Sequence, residues 1–131
     1  MILVDSGAWF SVFVSDDPDH TAAVAWYDAN VEPLITTDYV VDETLTLLRA
    51  RRQPHLALGL GLRLFTKELA QLHYLTPDDI EKSWEVFRSY ADKRWSFTDC
   101  TSKFIMESLG VTKAFSFDQH FRQFGNIEVV P

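Results

Sequence analysis

The chain has 131 residues, of which 47% are hydrophobic and 24% are charged, and its formal net charge is −7. This composition excludes a disordered chain, and the length predicts one globular domain over residues 1–131. The single cysteine excludes an internal disulfide, and without a membrane span or signal peptide in the sequence we expect a cytoplasmic protein with no membrane contact.

Short apolar runs alternate with segments of helical periodicity along the chain. Strands are predicted for residues 1–4, 34–35, 113–117 and 127–130, and helices for 6–14, 20–30, 38–52, 76–90 and 98–109. Segment 55–72 is ambiguous, since its leucines alternate as in a strand while Leu62, Phe65, Leu69 and Leu72 recur at helical spacing, and its length favours a helix. The alternation predicts an α/β fold whose helices cover both faces of a mainly parallel sheet.

Acidic residues fall at the ends of several predicted elements. Asp5 follows the first strand, Asp118 follows the strand "KAFSF", and Asp99 lies at a helix N-terminus. In an open parallel sheet the ligand crevice lies outside the carboxyl ends of the strands, so Asp5 and Asp118 should face the same edge. Glu43 borders the apolar stripe of its helix, whereas the flanks of Asp42 are more polar, so Glu43 is the better candidate for an inward-facing acid.

Each of these acids also has an ordinary structural explanation as a turn residue, a helix cap or a solvated side chain. Carboxylates that converge in a partly buried pocket repel one another unless a cation neutralises them. Oxygen ligands suit Mg²⁺ or Mn²⁺, and such ions can activate a water and orient it toward a phosphodiester. A metal-dependent phosphodiesterase site is therefore one interpretation of the pattern.

Four segments carry a resemblance to a known family. In order, "ILVDSGAWFSVF", "TTDYVVDETLTLL", "WSFTDCTSKFIMESLG" and "AFSFDQHFRQFG" resemble the signature segments of PIN-domain ribonucleases, especially the VapC-type toxins of toxin–antitoxin pairs. The resemblance implies a three-layer α/β/α PIN-like fold and Mg²⁺- or Mn²⁺-dependent endonucleolytic cleavage of RNA. Matched by position, the family's catalytic and metal-binding acids correspond to Asp5, Glu43, Asp99 and Asp118, and its supporting hydroxyls to Ser6 and Thr98.

The resemblance also implies partners. Proteins of this kind form homodimers and are inhibited by a small antitoxin whose tail enters the active site. The negative net charge opposes nucleic acid at long range. We hypothesise that this acidity instead favours a basic antitoxin segment as the partner. Arg49, Arg52 and Arg94 are candidate contacts to the RNA backbone, with solvated helix ends as the alternative.

One departure and several alternatives remain. Some relatives have a further Asp or Asn just after the fourth acid, whereas Gln119 and His120 follow Asp118 here, which leaves a second metal position and the role of Asp118 open.

A non-catalytic RNA- or protein-binding module of the same fold is the alternative function. A haloacid-dehalogenase-like phosphatase would need a second Asp where Gly7 stands. Three further residues are interpreted as core side chains, with base stacking as the alternative for Trp9 and Trp95 and nucleophilic catalysis for Cys100.

Overall fold

Five short strands form one parallel sheet in the computed structural model, which describes all 131 residues. The strands are β1 (Ile2–Val4), β2 (Leu34–Thr37), β3 (Gln71–His73), β4 (Lys113–Phe115) and β5 (Glu128–Val130). Their order across the sheet is β3-β2-β1-β4-β5, and every neighbouring pair is parallel. The strand order changes direction at β1, because the chain first builds outward through β2 and β3 and then returns to the other side of β1 with β4.

Six α-helices and one short 3₁₀ helix complete the chain. They are α1 (Ser6–Phe13), α2 (His20–Ala29), α3 (Asp38–Ala50), α4 (Pro54–Phe65), α5 (Pro77–Ser89), α6 (Phe97–Leu109) and the 3₁₀ helix η1 (Gln119–Gln123). No helix is both long and apolar enough to cross a bilayer.

The alternating side chains of β1 show how the layers pack. Ile2 and Val4 belong to a core cluster shared with residues of α1 to α4, whereas Leu3 belongs to a second cluster shared with residues of α6 and η1. Successive side chains of a strand point to opposite faces, so each face of the sheet has its own helical layer. The predicted three-layer α/β/α fold with a parallel sheet is therefore confirmed.

The prediction of one helix over 55–72 is wrong in its last part. Helix α4 ends at Phe65, and Lys67 then has a positive φ of 62°, which turns the chain out of the helix. Residues Gln71–His73 form β3, the edge strand beside β2. The remaining predicted ends lie within two residues of the observed ones, including the start of α6 at Phe97 and the end of β4 at Phe115.

Helix starts and strand ends meet at one edge of the sheet. Helix α1 begins directly after Asp5 at the end of β1, and α3 begins directly after β2, where the Thr37 side chain accepts a hydrogen bond from the Val40 N–H. The segment after β4 leaves the sheet at the same edge. Because the strand order reverses between β1 and β4, this edge is the place where a parallel α/β sheet opens a crevice for a ligand.

Candidate active site

Asp5 is fixed at the carboxyl end of the central strand. Its backbone N–H donates to the Phe115 carbonyl of β4 at 3.0 Å, and its Oδ1 accepts from the Ser6 N–H at 2.8 Å as the cap of α1. Its Oδ2 accepts from the Ser116 hydroxyl at 3.0 Å, and only 4% of the residue is exposed. Asp5 is therefore a helix cap and also a buried carboxylate held by β1 and the end of β4.

Ser6 links this acid to α3. The Ser6 hydroxyl donates a hydrogen bond to Oε1 of Glu43, in the second turn of α3. Glu43 is half-buried, while its neighbour Asp42 is exposed, as the helical pattern predicted. No protein group donates a hydrogen bond to the second Glu43 oxygen, Oε2, which leaves that oxygen available to a water or an ion.

Asp99 lies in the first turn of α6, where it forms a reciprocal capping box with Ser96. The Ser96 hydroxyl accepts from the Asp99 N–H, and Asp99 Oδ2 accepts from the Ser96 N–H, both at 3.0 Å. The hydroxyl beside Asp99 thus comes from Ser96, whereas Thr98 contributes its carbonyl to the Thr101 hydroxyl at 2.6 Å. Asp99 is 5% exposed, and its Oδ1 receives no hydrogen bond from the protein.

Asp118 and His120 lie on the segment that follows β4. The Asp118 N–H donates to Ser116 Oγ at 3.0 Å, and Asp118 Oδ1 accepts from the His120 N–H at 2.9 Å as the cap of η1. The ring Nδ1 of His120 lies 3.1 Å from Asp99 Oδ2 and 3.5 Å from Asp118 Oδ1. Ser116 therefore joins Asp118 to Asp5, and His120 joins it to Asp99.

The electrostatics of the cluster leave it short of positive charge. Burial, reinforced by the nearby Asp99 and Glu43 carboxylates, raises the pKa of Asp5 from 3.8 to about 7. Burial also raises the pKa of Asp99, and the Asp118 charge adds to that rise. No lysine or arginine forms an ion pair with any of the four acids, and only the His120 ring contacts two of them. A divalent cation would relieve this repulsion, so the donor set fits an ion of the Mg²⁺ or Mn²⁺ type.

The arginines named from the sequence lie in two different places. Helix α3 begins at the site edge and runs away from it, so Arg49 lies about 9 Å farther along the helix axis than Glu43. Arg52, just past the end of this helix, is farther still. Arg94 is exposed in the segment that leads to Ser96 and the start of α6. Among these three arginines, Arg94 is the one whose chain segment leads directly into the capping box of Asp99, two residues before Ser96.

The core interpretation of the two tryptophans and the cysteine is confirmed. Trp9 is 0% and Trp95 5% exposed, and their ring N–H groups donate to the Thr36 hydroxyl and to the Gln123 side-chain oxygen. Cys100 is 1% exposed, and burial raises the pKa of its thiol to about 11, which disfavours the nucleophilic thiolate.

Three polar residues of the cluster were missed or left undecided by sequence reasoning. The sequence predicts Ser116 inside a strand over 113–117, but β4 ends at Phe115 and leaves the serine at the site edge. Ser96 stands three residues before an acid, the spacing of a capping box, and this signal could have identified it. His120 was noted as a departure from the family pattern, but its contact with Asp99 depends on the packing of η1 against α6.

The fold and the site together define an acidic-site α/β domain, in which carboxylates meet at the carboxyl edge of a parallel sheet. The PIN-domain model matches residues 2–127, and the chain belongs to the PIN-domain family. This membership confirms the resemblance and excludes the phosphatase alternative.

Two similar proteins cover all or most of the chain. It is 30% identical over 131 residues to the 23S rRNA-specific endonuclease VapC20 of Mycobacterium tuberculosis, all of this chain and 99% of that protein. It is 32% identical over 125 residues to a VapC ribonuclease of Archaeoglobus fulgidus, which covers 91% of this chain and 78% of the relative.

Solved structures agree with these matches. The crystal structure of M. tuberculosis VapC20, described as a sarcin–ricin loop cleaving toxin, superposes with a TM-score of 0.92 at 27% identity and covers both chains completely. FitAcB from Neisseria gonorrhoeae superposes with a TM-score of 0.69 at 15% identity, over all of this chain and 97% of that one, and this likeness concerns the fold alone.

Proposed function

We propose that this protein is a metal-dependent endoribonuclease and the toxin component of a toxin–antitoxin pair. The observation that carries the proposal is the convergence of Asp5, Glu43, Asp99 and Asp118 at one sheet edge, in a chain whose full length is similar to a VapC endonuclease. We propose RNA as the substrate, and the 23S rRNA named for that relative is the first candidate to test.

Mg²⁺ or Mn²⁺ is the cofactor of this proposal. Asp5 and Asp99 are buried carboxylates with raised pKa values, and they would hold the ion together with Asp118 and, directly or through a bound water, Glu43. When bound, such an ion lowers the pKa of a coordinated water and stabilises negative charge on the phosphodiester.

The residues of the chain supply position and proton transfer. Ser116 donates to Asp5 and accepts from the Asp118 backbone, so one hydroxyl fixes two of the acids. Ser6 holds one oxygen of Glu43 and leaves the other free to order a water and accept its proton. The proposed division of labour gives orientation to the serines and proton acceptance to Glu43.

RNA has to reach an acidic protein, and we propose Arg94 as a basic contact to its backbone near the site. Its exposed side chain stands two residues before Ser96, whose backbone contacts Asp99. Arg49 and Arg52 remain candidate backbone contacts for an RNA long enough to extend along α3. Neutralising Arg94 should weaken RNA binding. It should also reduce the slope of the logarithm of the binding constant against the logarithm of the salt concentration by the amount expected for about one phosphate contact.

The test is cleavage of a 23S rRNA fragment by the purified protein with Mg²⁺ or Mn²⁺. We expect EDTA to stop the reaction and Asp5→Asn or Asp99→Asn to abolish it, while circular dichroism shows that the fold persists. Asp42→Asn is the matched control, because Asp42 is exposed beside Glu43 and its variant should cleave normally. Undiminished cleavage by both site variants would contradict the proposal, and metal-independent binding without cleavage would favour the non-catalytic module.

Protein partners form the last part of the proposal: a second copy of the chain and a small antitoxin whose tail fills the acidic site. Large apolar side chains are exposed on two helices, with Leu58 and Leu62 on α4 and Trp84 and Phe87 on α5. Such patches are typical of protein interaction surfaces and support these contacts. A toxin that acts on RNA would work in the cytoplasm, and we propose that location for this protein.

The dimer can be tested by light scattering during size-exclusion chromatography. We expect a dimeric mass for the unmodified chain. At least one of the two variants Leu62→Asp and Trp84→Asp should have a monomeric mass, and that variant identifies the helix in the interface. A monomeric mass for the unmodified chain at micromolar concentration would contradict the homodimer. Antitoxin binding that is insensitive to salt would contradict the role assigned to the negative charge.

A further inference from the structure

The ring of His120 lies between two acids of the site. Its Nδ1 is 3.1 Å from Asp99 Oδ2 and 3.5 Å from Asp118 Oδ1, and the side chain is 30% exposed. One ligand atom from each of these three residues can be chosen so that all lie within 4.8 Å of one another. The histidine therefore belongs to the same small volume as the two carboxylates.

These separations are close to those within one coordination sphere. With bonds of about 2.1 Å, neighbouring ligands of an octahedral ion are about 3.0 Å apart and opposite ligands about 4.2 Å apart. The two distances from His120 Nδ1 to the carboxylate oxygens match those between neighbouring ligands. All three ligand atoms lie within 4.8 Å of one another, so the side chains would need to approach only slightly to reach the distances of one coordination sphere.

Further hydrogen bonds restrict the movement of Asp99, Asp118 and His120. Asp99 is fixed by its capping box with Ser96, and Asp118 is fixed by its backbone bond to Ser116. The His120 N–H donates to Asp118 Oδ1, which sets the start of η1 and keeps the ring on the side of the carboxylates. Ligands supported in this way favour ion binding because little side-chain freedom is lost.

From this juxtaposition we infer that His120 is a nitrogen ligand of the ion at Asp99 and Asp118 and that it biases the site toward Mn²⁺ over Mg²⁺. Imidazole nitrogen suits transition metals, whereas Mg²⁺ prefers oxygen ligands and retains its waters. The inference rests on the proposed metal-dependent function and adds a residue and an ion preference to it.

The experiment measures Mn²⁺ binding to the metal-free full-length protein by electron paramagnetic resonance. Pulsed spectra should show coupling of Mn²⁺ to a ¹⁴N nucleus in the unmodified protein and in His55→Ala, a control at an exposed histidine of α4. The coupling should vanish in His120→Ala and in His120→Asp. Mn²⁺ should bind at least about tenfold more weakly to His120→Ala, with a smaller loss for Mg²⁺ measured by competition.

The outcomes separate this inference from the proposed function. Mn²⁺ binding without nitrogen coupling in the unmodified protein overturns the inference, and so does unchanged Mn²⁺ affinity in His120→Ala. Because the first of these results needs no variant, a folding defect in His120→Ala cannot hide it. If cleavage of RNA persists in EDTA, the metal-dependent function fails, whatever the spectra show about His120.

Discussion

Replacing Asp5 by asparagine should stabilise the metal-free protein above pH 7, although it removes an acid of the proposed catalytic site. Burial is the largest cause of the rise in the Asp5 pKa from 3.8 to about 7, and Asp99 is the next. A difference of about three pH units between the folded and unfolded pKa corresponds to about 4 kcal/mol. This value is an upper bound on the gain, because the new asparagine side chain must re-form the hydrogen bonds to Ser6 and Ser116, and we expect about 2 to 4 kcal/mol.

The sign of the pH dependence follows from the direction of the shift. A raised folded pKa means that the folded state holds the Asp5 proton more tightly than the unfolded state does. The stability that this proton provides is complete below pH 3.8, declines as the pH rises, and is lost above about pH 7. The advantage of Asp5→Asn should therefore be near zero at pH 4 and complete at pH 8.

Urea unfolding followed by tryptophan fluorescence, in EDTA at pH 4, 5.5 and 8, measures this difference. Asp42→Asn is the control, because this exposed acid should change the free energy of unfolding by no more than about 0.5 kcal/mol. Added Mn²⁺ should stabilise the unmodified protein at pH 8 more than it stabilises Asp5→Asn. A variant that is no more stable at pH 8, or an advantage that does not change with pH, would refute the reasoning.

Three further changes test other parts of the structure. Ser116→Ala removes the donor to Asp5 and the acceptor of the Asp118 N–H, so urea unfolding should show a loss of about 1 to 3 kcal/mol, larger at pH 8 than at pH 4; an equal loss at both would contradict the link to Asp5. Trp9→Ala should cost about 3 to 5 kcal/mol, while Trp9→Phe should leave the KM for RNA unchanged, and a raised KM would indicate base stacking instead. Gly110→Ala places a side chain at a φ of 69° and should lower the free energy of unfolding by about 1 kcal/mol; unchanged stability would mean that the backbone relaxes there.

Most of the fold could be predicted because most elements carry their own local signal. The helix α5, for example, has a cap threonine at position 76, a proline in its first turn and acids after it. Strand β3 has no such signal, because it is three residues long and only Leu72 is buried among them. Its position depends on pairing with β2 and on the turn at Lys67. Lysine is not a residue type from which a positive φ is predicted.

In the site, too, some residues could be predicted from the sequence and others could not. Asp5 and Asp118 could be placed at one edge because they follow strands, and strands of a parallel sheet end at the same edge. The contacts of Ser116 and His120 depend instead on how segments more than twenty residues apart meet, since Ser116 donates to Asp5 and His120 contacts Asp99. Local periodicity carries no information about such distances.

The pairing of β1 with β4 has a consequence for the order in which the protein becomes competent during synthesis. A growing chain carries Asp5 and Glu43 early, but β4 must still be added beside β1, where Val4 pairs with Phe115. Until then Asp5 lacks its donor Ser116, and His120, which contacts Asp99, has not been made. For the proposed toxin, the ability to cut RNA would thus arise only after β4 and the segment that follows it have been synthesised, and a partly made chain would be inactive.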